Sequence, residues 1–157
     1  MPYRIVADEN IQITPELLSI SESLLTLPGR DIVPSHLVDA DVLLVRSVTE
    51  VNEQLMGTSG VSFVGTATAG VEHIDAEYLA GRSIKFASAP GANANAVVEY
   101  VLSVLAARGR IAEILDGGSI GIVGYGNVGS QLARVIVALG GQAVVWDPWQ
   151  TVPAALK

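Results

Sequence analysis

The sequence predicts an α/β protein built on parallel sheets, and two patterns carry that prediction. In the first part of the chain, short apolar runs alternate with short helical segments, as in parallel strands joined by crossover helices. Residues 119–147 then read as strand, glycine turn, helix and second strand. We therefore expect a flavodoxin-like parallel sheet, followed by one βαβ unit of a second sheet.

A glycine-rich turn joins the first strand of that βαβ unit to its helix. Gly124, Gly126 and Gly129 form a G-x-G-x-x-G pattern between the apolar run 120–123 and a helix predicted over 128–139. In such a unit the first glycine permits the turn, the second lets a pyrophosphate approach the backbone, and the third lets the helix pack closely on the sheet.

The second strand of the unit ends in an acidic residue that favours NAD. Asp147 follows the apolar run 143–146, 18 residues after Gly129. Its carboxylate can accept hydrogen bonds from both hydroxyls of an adenosine ribose, and no arginine follows directly to neutralise a 2′-phosphate. The N–H groups of Asn127, Val128 and Gly129 would face the phosphates from the positive end of the helix. The sequence thus predicts the first βαβ unit of a Rossmann domain, with NAD as cofactor.

Caps and turns bound the elements of the first part of the chain. Thr14 caps a helix that begins at Pro15 and whose apolar face extends to Leu25. Asn52 and Asp75 cap two shorter helices that glycines close. The predicted strands are residues 3–7, 41–45, 61–64 and 84–87.

Polar loops follow the carboxyl ends of these strands, at residues 8–10, 46–49, 65–70 and 90–93. In a parallel sheet those ends share one edge, which is where ligands bind. Because the loops are rich in Ser, Thr, Asn and Gly and one contains Arg46, we expect them to bind a small anion rather than to be plain connections.

Residues 93–115 read as one long helix with a single charge, Glu99, between Ala94 and Ala107. Its apolar residues cover more than one stripe, so it is either a buried central helix or a helix that packs on both domains and forms a subunit interface. The predicted organisation is a substrate-binding domain in 1–92, an interdomain helix and hinge in 93–118, and the start of a NAD-binding domain, cut short, in 119–157.

Composition narrows the function classes. Half of the 157 residues are hydrophobic and 16% are charged, which excludes global disorder. The net charge of −7 argues against nucleic acid or an anionic membrane as a partner. The absence of cysteine excludes disulfides and thiolate metal sites, and we expect no metal. Acidic residues near the start and no long apolar run leave the cytoplasm as the expected location.

Several segments, taken in order, match one enzyme family. They are residues 5–10, 28–30, 45–49, 51–52, 63–70, 73–75, 89–91, 97–101 and 121–129. Through them the chain resembles the D-2-hydroxyacid dehydrogenases, and within that family the branch that oxidises 4-phospho-D-erythronate in pyridoxal phosphate (vitamin B6) biosynthesis. Arg-Ser-Val-Thr at 46–49 and Gly-Thr-Ala-Thr-Ala-Gly at 65–70 are typical of this branch.

The resemblance implies roles for individual residues. Ser47 and Thr68, with Arg46 beside them, would bind the phosphorylated substrate, and Asp147 would hold the NAD ribose. A hydride would pass from the 2-hydroxyl carbon to NAD, and we expect a homodimer. The family's catalytic arginine and its His–Glu pair lie downstream of Lys157 and match nothing here, so the chain alone is expected to be inactive.

Two histidines and one substitution bear on this interpretation. His73 could act as a base, but a polar turn before the Asp75 cap explains it better, and His36 carries no functional signal. Ala92 stands where the family often has cysteine. Two other functions remain open: a non-catalytic NAD-binding or dimerisation module, and a fragment of a D-2-hydroxyacid dehydrogenase for another substrate.

Overall fold

The computed structural model describes residues 2–156, which divide into two compact units on either side of the Pro90 to Gly91 bond. The first unit contains a five-stranded sheet with the order β2-β1-β3-β4-β5, and every neighbouring pair is parallel. This is the flavodoxin-like order, so the predicted fold of the first unit is confirmed. Its elements are β1 (Tyr3–Asp8), α1 (Pro15–Ile20), β2 (Ser21–Leu27), β3 (Val42–Val45), α2 (Glu53–Met56), β4 (Phe63–Thr66), α3 (Ala76–Gly81) and β5 (Lys85–Ala87).

The core of the first unit lies on one face of its sheet. Leu43 and Val64 are fully buried there, against Met56 of α2 and Leu79 of α3. The three helices of this unit begin where the sequence predicts. The side chains of Thr14, Asn52 and Asp75 accept hydrogen bonds from Leu17 N (3.4 Å), Leu55 N (3.1 Å) and Tyr78 N (2.9 Å), which satisfies N–H groups that have no acceptor within the helix.

The prediction of a first helix reaching Leu25 is wrong. The helix ends at Ile20, and Ser21–Leu27 forms strand β2, paired along its length with β1. Leucines at 17, 18, 24 and 25 fit a helical stripe, yet Leu24 and Leu27 are half-buried in the strand, and pairing with β1 supplies backbone hydrogen bonds that an isolated helical turn would lack. Strand β4 also differs, because it begins two residues later than predicted and continues to Thr66.

The second unit is a βαβ unit preceded by two helices. Strands β6 (Ser119–Val123) and β7 (Gln142–Trp146) are parallel and joined by α6 (Asn127–Ala138). Ile136 of α6 is fully buried with Ile122 and Val145 of the two strands. Strand, glycine turn, helix and strand therefore occur as predicted, and the assignment to a Rossmann-like unit is confirmed.

The predicted single helix over 93–115 is instead two helices, α4 (Ala94–Ala107) and α5 (Ile111–Leu115). The break contains Gly109 at φ +68°, a left-handed conformation that ends a helix and favours glycine. Ala94 and Val98 of α4 are buried, whereas Tyr100 is 70% exposed and Val104 is 42% exposed. Among residues 2–156, no helix is both long enough and apolar enough to cross a membrane.

Candidate functional site

The glycine turn of the second unit has the geometry that its pattern predicts. Gly124 has φ +100°, which most side chains disfavour. A Cβ on Gly129 would collide with the carbonyl oxygen of Gly124 and would lie 3.4 Å from Cγ2 of Ile122 in β6. Gly129 thus allows α6 to lie close to the strand that precedes it. A Cβ on Gly126 would meet open space, so Gly126 faces a volume that a ligand can occupy.

Helix α6 begins at this turn with an open N-terminus. Gly126 is its N-cap and has no side chain to accept a hydrogen bond from the first helical turn. The N–H groups of Asn127, Val128 and Gly129 have no acceptor within the helix and lie at its positive end. A helix of 12 residues that starts in this way suits a phosphate or pyrophosphate.

The carboxylate of Asp147 is hydrogen-bonded directly to the glycine turn. One carboxylate oxygen, Oδ2, accepts from the N–H of Tyr125 at 2.6 Å, while Oδ1 accepts from Trp149 N at 2.8 Å and Gln150 N at 2.9 Å. Tyr125 N–H, then Trp149 N–H and Gln150 N–H, hold the pKa of Asp147 below its ordinary value, because these donors stabilise the ionised form. The structure therefore brings together the turn, the helix N-terminus and the acid at the end of β7.

In the first unit, the three residues predicted to bind substrate follow two neighbouring strands. Val45 at the end of β3 pairs with Thr66 at the end of β4, and the N–H of Ala67 donates to Val45 O at 2.9 Å. Arg46 comes next after β3 and is half-buried, followed by exposed Ser47. Within the described residues, the Arg46 guanidinium forms no ion pair.

Thr68, the third of these residues, belongs to a chain of side-chain hydrogen bonds. Its Oγ1 donates to Gly70 O at 2.8 Å and lies 2.7 Å from Oγ1 of Thr66. Thr66 Oγ1 also lies 2.9 Å from Nε2 of His73. Thr66 and His73 are only 4% and 5% exposed, whereas Thr68 is half-buried.

Sequence reasoning missed Thr66 and interpreted His73 as part of a polar turn. His73 is buried, and its imidazole points to Thr66, while its carbonyl accepts from Val51 N at 2.8 Å. A signal for Thr66 was present, because residues two apart in an extended segment lie on the same side. Thr66 and Thr68 could therefore have been identified from the sequence as two site residues on the same side of the chain.

A second buried polar contact holds the turn that follows β3. Thr49 Oγ1 donates to Gly29 O at 2.8 Å, and a Cβ on Gly29 would collide with Asp8 Oδ2. Asp8 is fully buried, and its Oδ1 accepts from Asn10 N at 2.8 Å. The N–H of Thr49 in turn donates to Arg46 O at 3.2 Å, which closes the turn that contains Ser47.

A match to a family model places the chain in a known family. A family model described as D-isomer specific 2-hydroxyacid dehydrogenase, catalytic domain, matches residues 11–138, which is most of the chain. The chain belongs to the family of D-isomer specific 2-hydroxyacid dehydrogenases.

Individual relatives narrow the similarity within that family. Erythronate-4-phosphate dehydrogenases of Hahella chejuensis and Azotobacter vinelandii are 47% and 49% identical to this chain over 146 residues. Both alignments cover 92% of this chain and 38% of the relative, so the chain spans well under half the length of the curated relatives it matches. The resemblance inferred from the motifs is thereby confirmed.

Solved structures show the same fold. A 3-phosphoglycerate dehydrogenase of Entamoeba histolytica with bound NAD⁺ superposes with a TM-score of 0.75 at 23% identity, covering 97% of this chain and 56% of that one. An acyclic imino acid reductase in complex with NADPH and D-Arg superposes with a TM-score of 0.74 at 17% identity, covering 98% and 59%. At these identities the similarity concerns the fold.

Proposed function

We propose that this chain provides the substrate-binding residues and the first nucleotide-binding unit of an NAD-dependent dehydrogenase. The proposed substrate is 4-phospho-D-erythronate, which is oxidised at its 2-hydroxyl carbon to the 2-oxo acid in pyridoxal phosphate biosynthesis. The observation that carries the proposal is the hydrogen bond of Asp147 to the glycine turn at the N-terminus of α6. This hydrogen bond holds the Asp147 carboxylate, an acceptor for ribose hydroxyls, beside the backbone N–H donors for the pyrophosphate.

The choice of NAD over NADP rests on the charge of Asp147. A carboxylate with a lowered pKa is ionised at neutral pH and would repel a 2′-phosphate, and no arginine follows it directly in the chain. The fold alone does not decide this point, since the two solved relatives above were determined with NAD⁺ and with NADPH.

Cofactor choice can be tested by titrating the chain with NADH and NADPH in a calorimeter. We expect NADH to bind more tightly than NADPH, and Asp147→Ala to reduce that preference. Asp41→Ala is the matched control, because Asp41 also accepts a backbone N–H, from Arg4, but lies in the first unit. Equal affinities of the unmodified chain for the two cofactors would refute the NAD assignment.

The substrate assignment rests on Arg46, Ser47 and Thr68 at one edge of a parallel sheet, and on similarity to relatives named erythronate-4-phosphate dehydrogenase. Arg46 would contribute charge, and the two hydroxyls would donate hydrogen bonds to phosphate or carboxylate oxygens. We expect 4-phospho-D-erythronate to bind more tightly than erythronate, and Ser47→Ala to weaken its binding. Ser19→Ala, in α1, is the control for loss of an exposed hydroxyl.

A substrate preference for an unphosphorylated hydroxy acid would favour the alternative that the chain belongs to a dehydrogenase for another substrate. Binding of NADH with no binding of any hydroxy acid would favour a non-catalytic nucleotide-binding module. We also propose that this chain contains no catalytic acid or base. Its two histidines support this proposal, since His73 is buried and hydrogen-bonded to Thr66, and His36 accepts from the N–H of Val33 in a turn.

We further propose a homodimer in which α4 contributes to the interface. The support is the exposure of Tyr100 and Val104 on that helix. Analytical ultracentrifugation should give twice the chain mass, and Tyr100→Glu should shift the population towards monomer. A cytoplasmic location, expected from composition, stays a prediction.

A further inference from the structure

We propose that Thr66 and His73 are positioning residues that fix the direction of the Thr68 hydroxyl and so prepare it to donate to an anionic ligand. This inference rests on the proposed function, in which Thr68 binds the phosphorylated substrate. It assigns a role to the buried His73 imidazole that is neither catalytic nor metal-binding.

The direction of the chain follows from counting protons. A threonine hydroxyl has one proton to donate, and the carbonyl oxygen of Gly70 can only accept. Because Thr68 Oγ1 donates to Gly70 O, it must accept in its contact with Thr66 Oγ1. The single proton of Thr66 is then used on Thr68, so Thr66 must accept from Nε2 of His73.

The imidazole of His73 is therefore protonated at Nε2. The donors run in one direction, from His73 through Thr66 and Thr68 to Gly70 O. Each hydroxyl in such a series polarises the next, which makes the last one a better donor. Burial of Thr66 and His73 keeps water from competing for these bonds.

The proton of Thr68 lies at the half-buried end of this series of hydrogen bonds, where it is donated to Gly70 O. A ligand oxygen can replace Gly70 O as the acceptor without disturbing the bond from Thr66. A hydroxyl without these partners could rotate and present its lone pairs to the anion instead. Buried Thr66 and His73 thus favour a ligand that presents a hydrogen-bond acceptor to Thr68, such as a phosphate or carboxylate oxygen.

The first test is the tautomer of His73. A long-range ¹H–¹⁵N spectrum of the imidazoles, assigned with the His36→Gln variant, should show His73 protonated at Nε2. Thr66→Val, which keeps the shape of the side chain and suits a strand, should change that pattern. A His73 that carries no proton on Nε2 in the unmodified chain would overturn the proposed direction.

The second test is binding of 4-phospho-D-erythronate by calorimetry. Thr66→Val should raise the dissociation constant about fivefold to tenfold, the size expected for one lost hydrogen bond. Thr66→Ser retains the hydroxyl and should restore binding to within about twofold of the unmodified chain. Circular dichroism checks that both variants are folded.

The two proposals can fail separately. If the unmodified chain does not bind 4-phospho-D-erythronate, the proposed function fails, and the His73 tautomer alone decides whether the oriented chain exists. If the unmodified chain binds and Thr66→Val binds equally well, the positioning role is refuted while the proposed function stands.

Discussion

The two candidate anion-binding regions of this chain are built in opposite ways. The glycine turn at residues 124–129 presents backbone N–H groups and works because side chains are absent, as Gly129 shows against the carbonyl of Gly124. The loop at residues 66–70 presents a hydroxyl, and it depends on side chains that are buried beneath it. One site is specified by backbone geometry and the other by side-chain hydrogen bonds within residues 66–73.

This difference predicts how each region responds to substitution. A glycine turn should tolerate no added carbon where the backbones approach closely, and should tolerate one where the space is open. In the hydroxyl loop, a substitution that keeps the shape of a side chain but removes its hydroxyl should still be harmful, because each of these polar atoms has a hydrogen-bond partner. Substitutions in both units test this contrast between close backbone packing and side-chain hydrogen bonds, and we take them from the largest expected effect on stability to the smallest.

Gly129→Ala should have the largest effect. Its Cβ would collide with a backbone oxygen, so α6 must move away from β6, and we expect a cost of about 3 kcal/mol, the upper end of the usual range for overpacking. Chemical denaturation followed by the fluorescence of Trp146 and Trp149, the only two tryptophans and both in the second unit, would report the loss.

Gly126→Ala is the matched control in the same turn. Its φ of −78° is ordinary for alanine and its Cβ would meet open space, so stability should change by less than about 0.5 kcal/mol. Binding of NADH should nevertheless weaken, because the added methyl occupies the volume proposed for the pyrophosphate. A large loss of stability in this variant would contradict the contrast between the two glycines.

Thr49→Val should destabilise the first unit by about 1–3 kcal/mol, because it leaves the Gly29 carbonyl without its donor. Thr49 is 4% exposed, so water does not replace the lost bond easily. Thr49→Ser retains the hydroxyl and should recover most of the stability in urea denaturation. A loss in Thr49→Ser with none in Thr49→Val would mean that packing of the methyl group, rather than the hydrogen bond, is what matters.

Local determinants explain why much of the fold was predictable. Caps at Asn52 and Asp75, the glycine turn and the acid at 147 act over a few residues or at a fixed spacing, and each was located correctly. Strand β2 was missed because its leucines also fit a helical stripe, and only pairing with β1 decides between the two.

The buried polar contacts were harder to predict from the sequence. The bond from Thr49 to Gly29 joins residues 20 positions apart, and no spacing rule connects them. The bond from His73 to Thr66 depends on the return of the chain after β4. Ser47 and Thr68 were proposed through family resemblance and Arg46 from its place in a polar loop, whereas the residues that support them are evident only in the structure.

Asn52→Ala should cost about 1 kcal/mol, the usual value for loss of a helix N-cap. The cap acts within one turn, so this variant tests a local determinant in the unit that contains the hydroxyl loop. Asn52→Asp keeps an acceptor oxygen and should lose less. Urea denaturation of the two variants would separate the lost hydrogen bond from a general effect of substitution at this position.

The smallest expected effect is a dependence of stability on acid pH that arises at Asp147. Hydrogen bonds from Tyr125, Trp149 and Gln150 lower its folded-state pKa, so the folded form binds its proton less readily than the unfolded form. The stabilisation is therefore present above the unfolded pKa of about 4 and is lost as the pH falls through the lower, folded pKa. Asp147→Asn should flatten this part of the pH profile, monitored through tryptophan fluorescence.

Asp41 of the first unit, whose pKa is lowered chiefly by the N–H of Arg4, provides the comparison. If Asp147→Asn leaves the acid limb unchanged, the carboxylate does not stabilise the glycine turn through its charge, and its role would be confined to ligand binding.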